Sequence, residues 1–471
     1  MKRCDVLVVG AGLLGVFAAR ALCRYPLEVC VAEKASDVCT GISKANSAIV
    51  YSGCDAVPDT LKAALCVPAC ADFGKLCAEL GVRFDRCGSL LVCTGAAGEA
   101  SVRKKYAQGR QNGVQGLELL SDTELLKTEP GLSPDVRMGL YAPGAGTVEP
   151  WELGIAAFEN ASENGAKFFF GAEVKTLSRR DGHYYAETER ETFCARCVIN
   201  CAGLHAAALR EMLLPPYVGI RFSLADFAVY DESLRGLVRH VLMQEREDGT
   251  KGVTLVPTTD GNLLAESPVK VRTESAAACS TPEGQAALDA LSRELVPALD
   301  AEKVIRRFAA VRPNPYYIGG SRRSIDSFVC LGEDGLISLI GIKTPGLTCA
   351  EALGRHAAEK AAAFLGVTGE NPHFSPVRTP PVRLTELDAK ARNALIASDG
   401  SYGRIVCRCR GVSEGEILNA IRAGARTVSG VKRRCGAGMG RCQGGFCTAQ
   451  IAKLLARETG KAVEEVLSLH D

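Results

Sequence analysis

Four apolar residues, Val6-Leu7-Val8-Val9, run into a glycine-bearing turn from Gly10 to Gly15. Val16 to Arg24 then repeat with helical spacing, and Leu27 to Ala32 is apolar again. Strand, turn, helix and strand in this order predict a βαβ opening. Lys167-Phe168-Phe169-Phe170, Cys197-Val198-Ile199-Asn200 and Leu336 to Ile340 are further short apolar runs bounded by glycine or turn residues, and the pattern lets all of them join one sheet. Phe222 to Tyr230 and Lys251 to Leu264 differ in character. They alternate and carry turn signals such as Asp260-Gly261-Asn262, which suits an antiparallel sheet inserted into the first unit. From Val367 to Tyr402 the text becomes Pro-rich and charged, with Pro372, Pro376, Pro380 and Pro381, and reads as a surface linker. A small cysteine-bearing unit closes the chain. The expected division is 1–87, 142–217 and 305–366 for the first domain, 88–141 and 218–304 for the inserted one, 367–403 for the linker and 404–471 for the last domain.

Composition narrows the classes. With 56 Lys and Arg against 54 Asp and Glu, the formal net charge of the 471 residues is +2, and 47% of them are hydrophobic. That balance argues against a disordered tail and against an electrostatic nucleic-acid binder. Cysteine is the outlier at 21 residues. The four apolar residues before Gly10 are too few for a signal peptide, and no apolar run approaches the ~20 residues of a membrane span. The expectation is a cytoplasmic chain, reaching a membrane only through a partner, whose thiols stay reduced and whose clustered cysteines point to metal rather than disulfides.

Gly10-Ala11-Gly12-Leu13-Leu14-Gly15 follows a strand and opens a helix, and Glu33 ends the next strand. That is the context of a dinucleotide fold. Gly10 permits the tight turn, Gly12 lets the backbone approach a pyrophosphate, and Gly15 lets helix and strand pack closely, while the helix start offers N–H groups to the anion. Glu33 accepts a ribose hydroxyl in such a fold and argues against a 2′-phosphate, leaving FAD or NAD. Later segments favour FAD. Asn200-Cys201-Ala202-Gly203 ends a strand in small residues that allow backbone past the same nucleotide. Gly341-Ile342-Lys343-Thr344-Pro345-Gly346-Leu347-Thr348 turns from a strand into a helix expected over Cys349 to Leu365, whose start would aim backbone donors at the flavin ring. A plain Pro-Gly turn entering a surface helix is the alternative for this segment alone.

Ser43-Lys44-Ala45-Asn46-Ser47-Ala48-Ile49-Val50, Asp55-Ala56 with Thr60 to Ala63, Val148-Glu149-Pro150, Asn200 to Gly203, Lys251-Gly252-Val253 with Val256-Pro257-Thr258, Arg312-Pro313 and Pro345 to Thr348 occur in this order. Together they resemble the FAD-dependent glycerol-3-phosphate dehydrogenase and 2-hydroxyglutarate dehydrogenase branch of the D-amino-acid oxidase superfamily, from residue 5 to about 365. The resemblance implies an α/β fold in which a Rossmann-like FAD domain carries an antiparallel substrate domain, and hydride transfer from a secondary alcohol or amine carbon to the flavin. It implies that Ser43, Asn46 and Ser47 join the glycine turn, Glu33, Ala202, Gly203, Gly341, Gly346, Leu347 and Thr348 in holding the cofactor. Arg312 would grip a phosphate or carboxylate through its guanidinium fork, and Lys343 would orient the reacting oxygen or assist proton removal. Tyr51 stands where the branch commonly has histidine; it can hydrogen-bond but is a poorer base at neutral pH. Surface cations for Arg312 and Lys343, and a core side chain for Tyr51, are the alternatives. His205 reads as a helix-start residue, and Cys66, Cys70 and Cys77 as small buried apolar residues, with metal binding or redox sensing as the alternative.

Cys407-Arg408-Cys409 and, after thirty-two residues, Cys442-Gln443-Gly444-Gly445-Phe446-Cys447 supply two close thiolate pairs, as a [2Fe-2S] cluster or a tetrahedral zinc requires. Ser413-Glu414-Gly415-Glu416 reads as a capping box opening a helix, Thr427 to Arg434 as a second short helix, and Thr448 to Glu458 as a third that stops at Gly460. A unit this small calls for a metal staple. The cysteine spacing, with Lys432-Arg433-Arg434 and Ala437 to Cys442, resembles the bacterioferritin-associated-ferredoxin-like [2Fe-2S] domain that ends anaerobic-type glycerol-3-phosphate dehydrogenase subunits, over residues 404 to 460. Cys435 is a spare thiol in this reading; Arg434 and Arg441 favour the more negative reduced cluster, and plain solvated surface cations are the alternative. The whole chain then reads as a dehydrogenase of a small anionic hydroxy substrate, glycerol 3-phosphate or a 2-hydroxy acid, passing electrons to a redox partner protein or quinone-linked subunit. Oxidation of an amine or imino acid, and an electron-transfer subunit reduced by a partner, are the alternatives.

Overall fold

The computed structural model describes residues 1–248, 250–272, 278–319 and 322–469. Its first sheet has eight strands. Lys167–Phe170, Val29–Glu33, Lys2–Val9, Thr192–Asn200 and Leu336–Ile340 form its parallel centre, with Val6 opposite Cys197 and Val29. Strand stretches buried on both faces must be apolar, and Val6, Leu7, Val8 and Val31 are wholly buried. The βαβ opening and the shared sheet are as expected. The helix begins earlier than the spacing suggested, at Leu13, because the backbone turns helical directly after Gly12.

Small residues set how closely the covering helices approach. Leu13–Leu22 lies against Ala350–Leu365, where a Cβ on Gly354 would stand 2.6 Å from the Phe17 backbone. Ala18, Ala357, Ala358 and Ala361 complete that seam. Such a contact excludes larger side chains and fixes the helix start over the sheet.

A nine-stranded second sheet runs from Val218–Tyr230, next to its edge, through Leu263–Glu266, Lys251–Pro257, Val241–Glu245, Ser89–Cys93 and Met138–Ala142 to Glu118–Ser121. All these pairs are antiparallel except Val241–Glu245 with Ser89–Cys93. The turn at Asp260-Gly261-Asn262 forms with Gly261 at φ +88°, a conformation glycine adopts without strain. Val304–Tyr317 pairs with Val218–Tyr230 along almost its entire length. The strand bearing Arg312 therefore belongs to the second sheet rather than to the segment 305–366 assigned to the first, and it crosses between the two units before Val329.

The Pro-rich segment is more ordered than a linker. It holds a helix, Ala389–Ser398, capped by Asp388, and is strapped to the first unit. Arg378 is buried against Glu159 and the Leu80 carbonyl, while the Asn160 and Asn164 amides donate to the Ser375 carbonyl. The closing unit contains the expected helices at Glu414–Arg422, Val428–Cys435 and Thr448–Thr459, plus a short one at Val463–Ser468. Its capping box is complete: the Ser413 hydroxyl accepts from the Glu416 amide, and the Glu416 carboxylate accepts from the Ser413 amide at 2.8 Å.

Candidate functional site

The two sheets enclose a cavity of about 650 Å³. It extends from the glycine turn to the inner face of the second sheet. Gly10, Gly12, Glu33, Ser43, Asn46, Ser47, Tyr51, Ala202, Gly203, Arg312, Lys343, Gly346 and Leu347 all line it. Gly15, Gly341 and Thr348 do not line it and support its walls instead. A Cβ on Gly15 would lie 1.8 Å from the Gly10 carbonyl oxygen, and one on Gly341 would lie 2.6 Å from Pro315. The Thr348 hydroxyl accepts from the Tyr51 amide at 2.9 Å.

At the nucleotide end the backbone is laid open by missing side chains. A Cβ on Gly10 would stand 2.6 Å from the Cys201 carbonyl oxygen, and one on Gly12 would stand 3.0 Å from the Ser43 hydroxyl. Gly12 caps the helix with no side-chain hydrogen bond, so the helix start faces the cavity bare, apart from the Leu13 amide, which donates to the Ser43 hydroxyl at 3.0 Å. Glu33 is pinned at its strand end: its carboxylate accepts from the Ala11 amide at 2.6 Å and from the Ala35 amide at 2.8 Å. Lys34 and His205 also border the cavity, their nitrogens 3.2 Å apart. Burial, and then Lys34, hold the imidazole of His205 below its usual range. An elongated, largely apolar cavity with a bare helix start beside a carboxylate has the chemistry and size of an FAD site.

At the other end, polar groups converge. Arg312 projects from a strand partnered by Ser223, and among the described residues its buried Nε has no hydrogen-bond partner. Lys343 begins the turn into Ala350–Leu365, and the Gly346 amide closes that turn onto the Lys343 carbonyl at 2.7 Å. Burial chiefly, then Arg312 and Lys62, lower the Lys343 amine to about 8. Lys62 is itself tied to Asp326 at 2.7 Å. Burial drives the Tyr51 phenol above its ordinary range, which leaves it a hydrogen-bonding group. Glu266 was missed from the sequence. It lies opposite Phe227 in the second sheet and faces the cavity. Its carboxyl is pushed up by burial against the pull of Arg312 and a hydrogen bond from Ser47.

The four cysteines come together in the closing unit. The Cys409 and Cys442 sulfurs are 3.5 Å apart, and the Cys447 thiol lies in hydrogen-bond contact with Cys407. Cys407 and Cys447 are buried in the unit's apolar core, whereas Cys409 and Cys442 are half-buried. The Gly438 amide points at the Cys407 sulfur at 3.5 Å, and a Cβ on Gly440 would lie 2.4 Å from the Cβ of Cys409. Four soft donors in two touching pairs, within a glycine-lined loop, fit a [2Fe-2S] cluster. Cys435 turns away and donates to the Val431 carbonyl at 3.2 Å.

A bare-helix dinucleotide cavity under a second sheet, joined to a four-thiolate module, defines a two-centre redox protein. Family comparison agrees: residues 5–360 match the FAD dependent oxidoreductase model and residues 405–457 the BFD-like [2Fe-2S] binding domain. The chain belongs to the FAD dependent oxidoreductase family and carries FAD and a [2Fe-2S] cluster. It is 36% identical over 472 residues to a glycerol 3-phosphate dehydrogenase of Caloramator mitchellensis, covering 99% of this chain and 97% of that one. The fold matches a dithionite-reduced L-α-glycerophosphate oxidase from Mycoplasma pneumoniae with FAD bound (TM-score 0.73, 24% identity, 81% of this chain and 100% of that one). It also matches a glycerol-3-phosphate dehydrogenase from Bacillus halodurans complexed with FAD (TM-score 0.67, 18% identity, 98% and 92%). Among the described residues no helix is long and apolar enough to cross a membrane.

Proposed function

We propose that the protein is a cytoplasmic dehydrogenase that oxidises glycerol 3-phosphate at its secondary alcohol and passes the electrons through its [2Fe-2S] module to a partner. The observation that carries this reading is the convergence of Arg312, with its unpartnered buried Nε, and the Lys343 amine on one cavity. The Caloramator relative, similar over almost the whole chain, supports the choice of substrate.

When bound, FAD supplies a two-electron hydride acceptor and the cluster a one-electron carrier. Arg312 holds the phosphate oxygens through its planar fork, which fixes the secondary carbon in the cavity. The Lys343 nitrogen, neutral above about 8, takes the proton of the secondary hydroxyl as the hydride leaves the same carbon, so a ketone remains. Tyr51 hydrogen-bonds without titrating. Gly12, Ser43, Glu33 and the helix start hold the dinucleotide, and Cys407, Cys409, Cys442 and Cys447 hold the cluster. The test is the anaerobic visible spectrum on addition of glycerol 3-phosphate: bleaching of the flavin band supports the reading, and an unchanged band refutes it.

Glu266 favours a second reading. A carboxylate and a guanidinium facing one cavity also suit a zwitterion, with the Arg312 fork on its carboxylate and Glu266 on its ammonium. Under that reading Glu266→Gln abolishes bleaching by amino acids, whereas a hydroxy substrate tolerates the change.

A further inference from the structure

The closing unit is anchored through part of its charge. Asp37, 2% exposed, sits between Arg433 and Arg434, with contacts of 3.0 and 2.7 Å. Arg410 reaches Asp260 at 2.8 Å and Glu232 at 3.9 Å, and the Arg306 guanidinium donates to the Gln443 amide oxygen at 3.3 Å. These contacts orient the cysteine loop relative to both sheets.

Between Glu416 and Glu458 the remaining charge is all positive, although Glu464, farther along the unit, is an exposed acid. From residue 417 to 457 the chain has eight Lys and Arg and no Asp or Glu. Of these, Arg441 and Lys453 are exposed and in no salt bridge among the described residues, as is Arg408 between two of the cysteines. Asp231 is the acid whose charge reaches Arg441. Phe446, between Gly445 and Cys447, is 84% exposed, the most exposed large apolar side chain among the described residues. An aromatic ring exposed in the cysteine loop, in a stretch of chain whose exposed charges Arg408, Arg441 and Lys453 are all cations, has the composition of an interface anchor within a charged rim. The two half-buried cysteines, Cys409 and Cys442, belong to the same loops, while Cys407 and Cys447 are shielded in the core.

We propose that the surface formed by Phe446, Arg408, Arg441 and Lys453 docks a small acidic one-electron carrier protein, with Phe446 as the apolar anchor. This rests on the reading of the closing unit as the electron exit. Each alcohol oxidised yields two electrons and two protons; two carrier molecules take one electron each, and the protons go to solvent.

The probe is rubredoxin, an acidic one-electron iron protein, used zinc-substituted for binding and in its ferric form for reduction. Zinc rubredoxin is expected to bind the holoenzyme at low salt and to lose at least tenfold in affinity in 0.5 M NaCl, roughly as screening of several opposed charges requires. Phe446→Ser should weaken binding about tenfold and Lys453→Glu several-fold, with the paramagnetic signal of the reduced cluster retained. Reduction of ferric rubredoxin by dithionite-reduced enzyme should fall in parallel. The proposal is overturned if both variants bind like the wild type, if basic cytochrome c binds more tightly than rubredoxin, or if phosphatidylglycerol vesicles capture the enzyme through Phe446 while rubredoxin does not. Dithionite reduction makes the test independent of substrate, so a failure to bleach with glycerol 3-phosphate would strike the substrate reading alone.

Discussion

At the scale of single residues, the proposed chemistry depends on Arg312 and Lys343. Arg312→Lys keeps the charge but loses the fork, and kcat/KM for glycerol 3-phosphate should drop about 10- to 100-fold, chiefly through KM. Lys343 sets the pH dependence. Its amine is lowered to about 8, and only the neutral form accepts a proton. Activity should therefore fall about tenfold per pH unit below that value and level off above it, and Lys343→Met should remove the rise and slow turnover by ~10² or more. A profile that falls with rising pH would contradict the assignment. The glycine turn and Glu33 were legible because their spacing carries the chemistry. Glu266 was not: it is a single acid after Leu263, Leu264 and Ala265, and only the pairing of its strand against Phe227 turns it toward the cavity.

At the scale of elements, the strand that carries Arg312 was the hardest to read. Pro313 and Pro315 argue against a central strand, but Val304–Tyr317 pairs with a single long neighbour, Val218–Tyr230, and an edge tolerates missing N–H donors. The segment 367–403 is legible as a surface linker, but not in what fixes it. Its prolines signal a linker, yet what fixes it is side chains of other elements, Glu159 and Asn160 on the helix Pro150–Glu163, and no local pattern announces them. The same holds for the seat of the closing unit on Asp37. Asp37→Ala leaves two buried guanidinium groups without their carboxylate, a cost of about 3–5 kcal/mol. The expected result is undocking, seen as an earlier separate melting transition and protease cleavage within residues 367–403. A single unshifted transition would show that the seat does not depend on this contact.

At the scale of the whole molecule, a hydride-accepting cavity and a four-cysteine module are joined in one chain so that two-electron chemistry can leave as single electrons. The capping box, the cysteine spacing and the βαβ opening made both units readable from sequence, because each rests on contacts among near neighbours. Their mutual seating rests on contacts such as Asp37 with Arg434, which no pattern in the sequence joins. Cys407→Ser separates the two functions. The variant should lose the cluster signal and turnover with one-electron carriers, while glycerol 3-phosphate still bleaches its flavin; loss of bleaching as well would mean that the units do not work in series. The most direct measurement follows flavin absorbance and the paramagnetic signal of the cluster in one anaerobic sample of the intact protein, before and after glycerol 3-phosphate. The account predicts that the flavin band bleaches and that a [2Fe-2S] signal rises with it. An unchanged flavin band, or a bleached flavin with a cluster that stays oxidised at every substrate concentration, would contradict it.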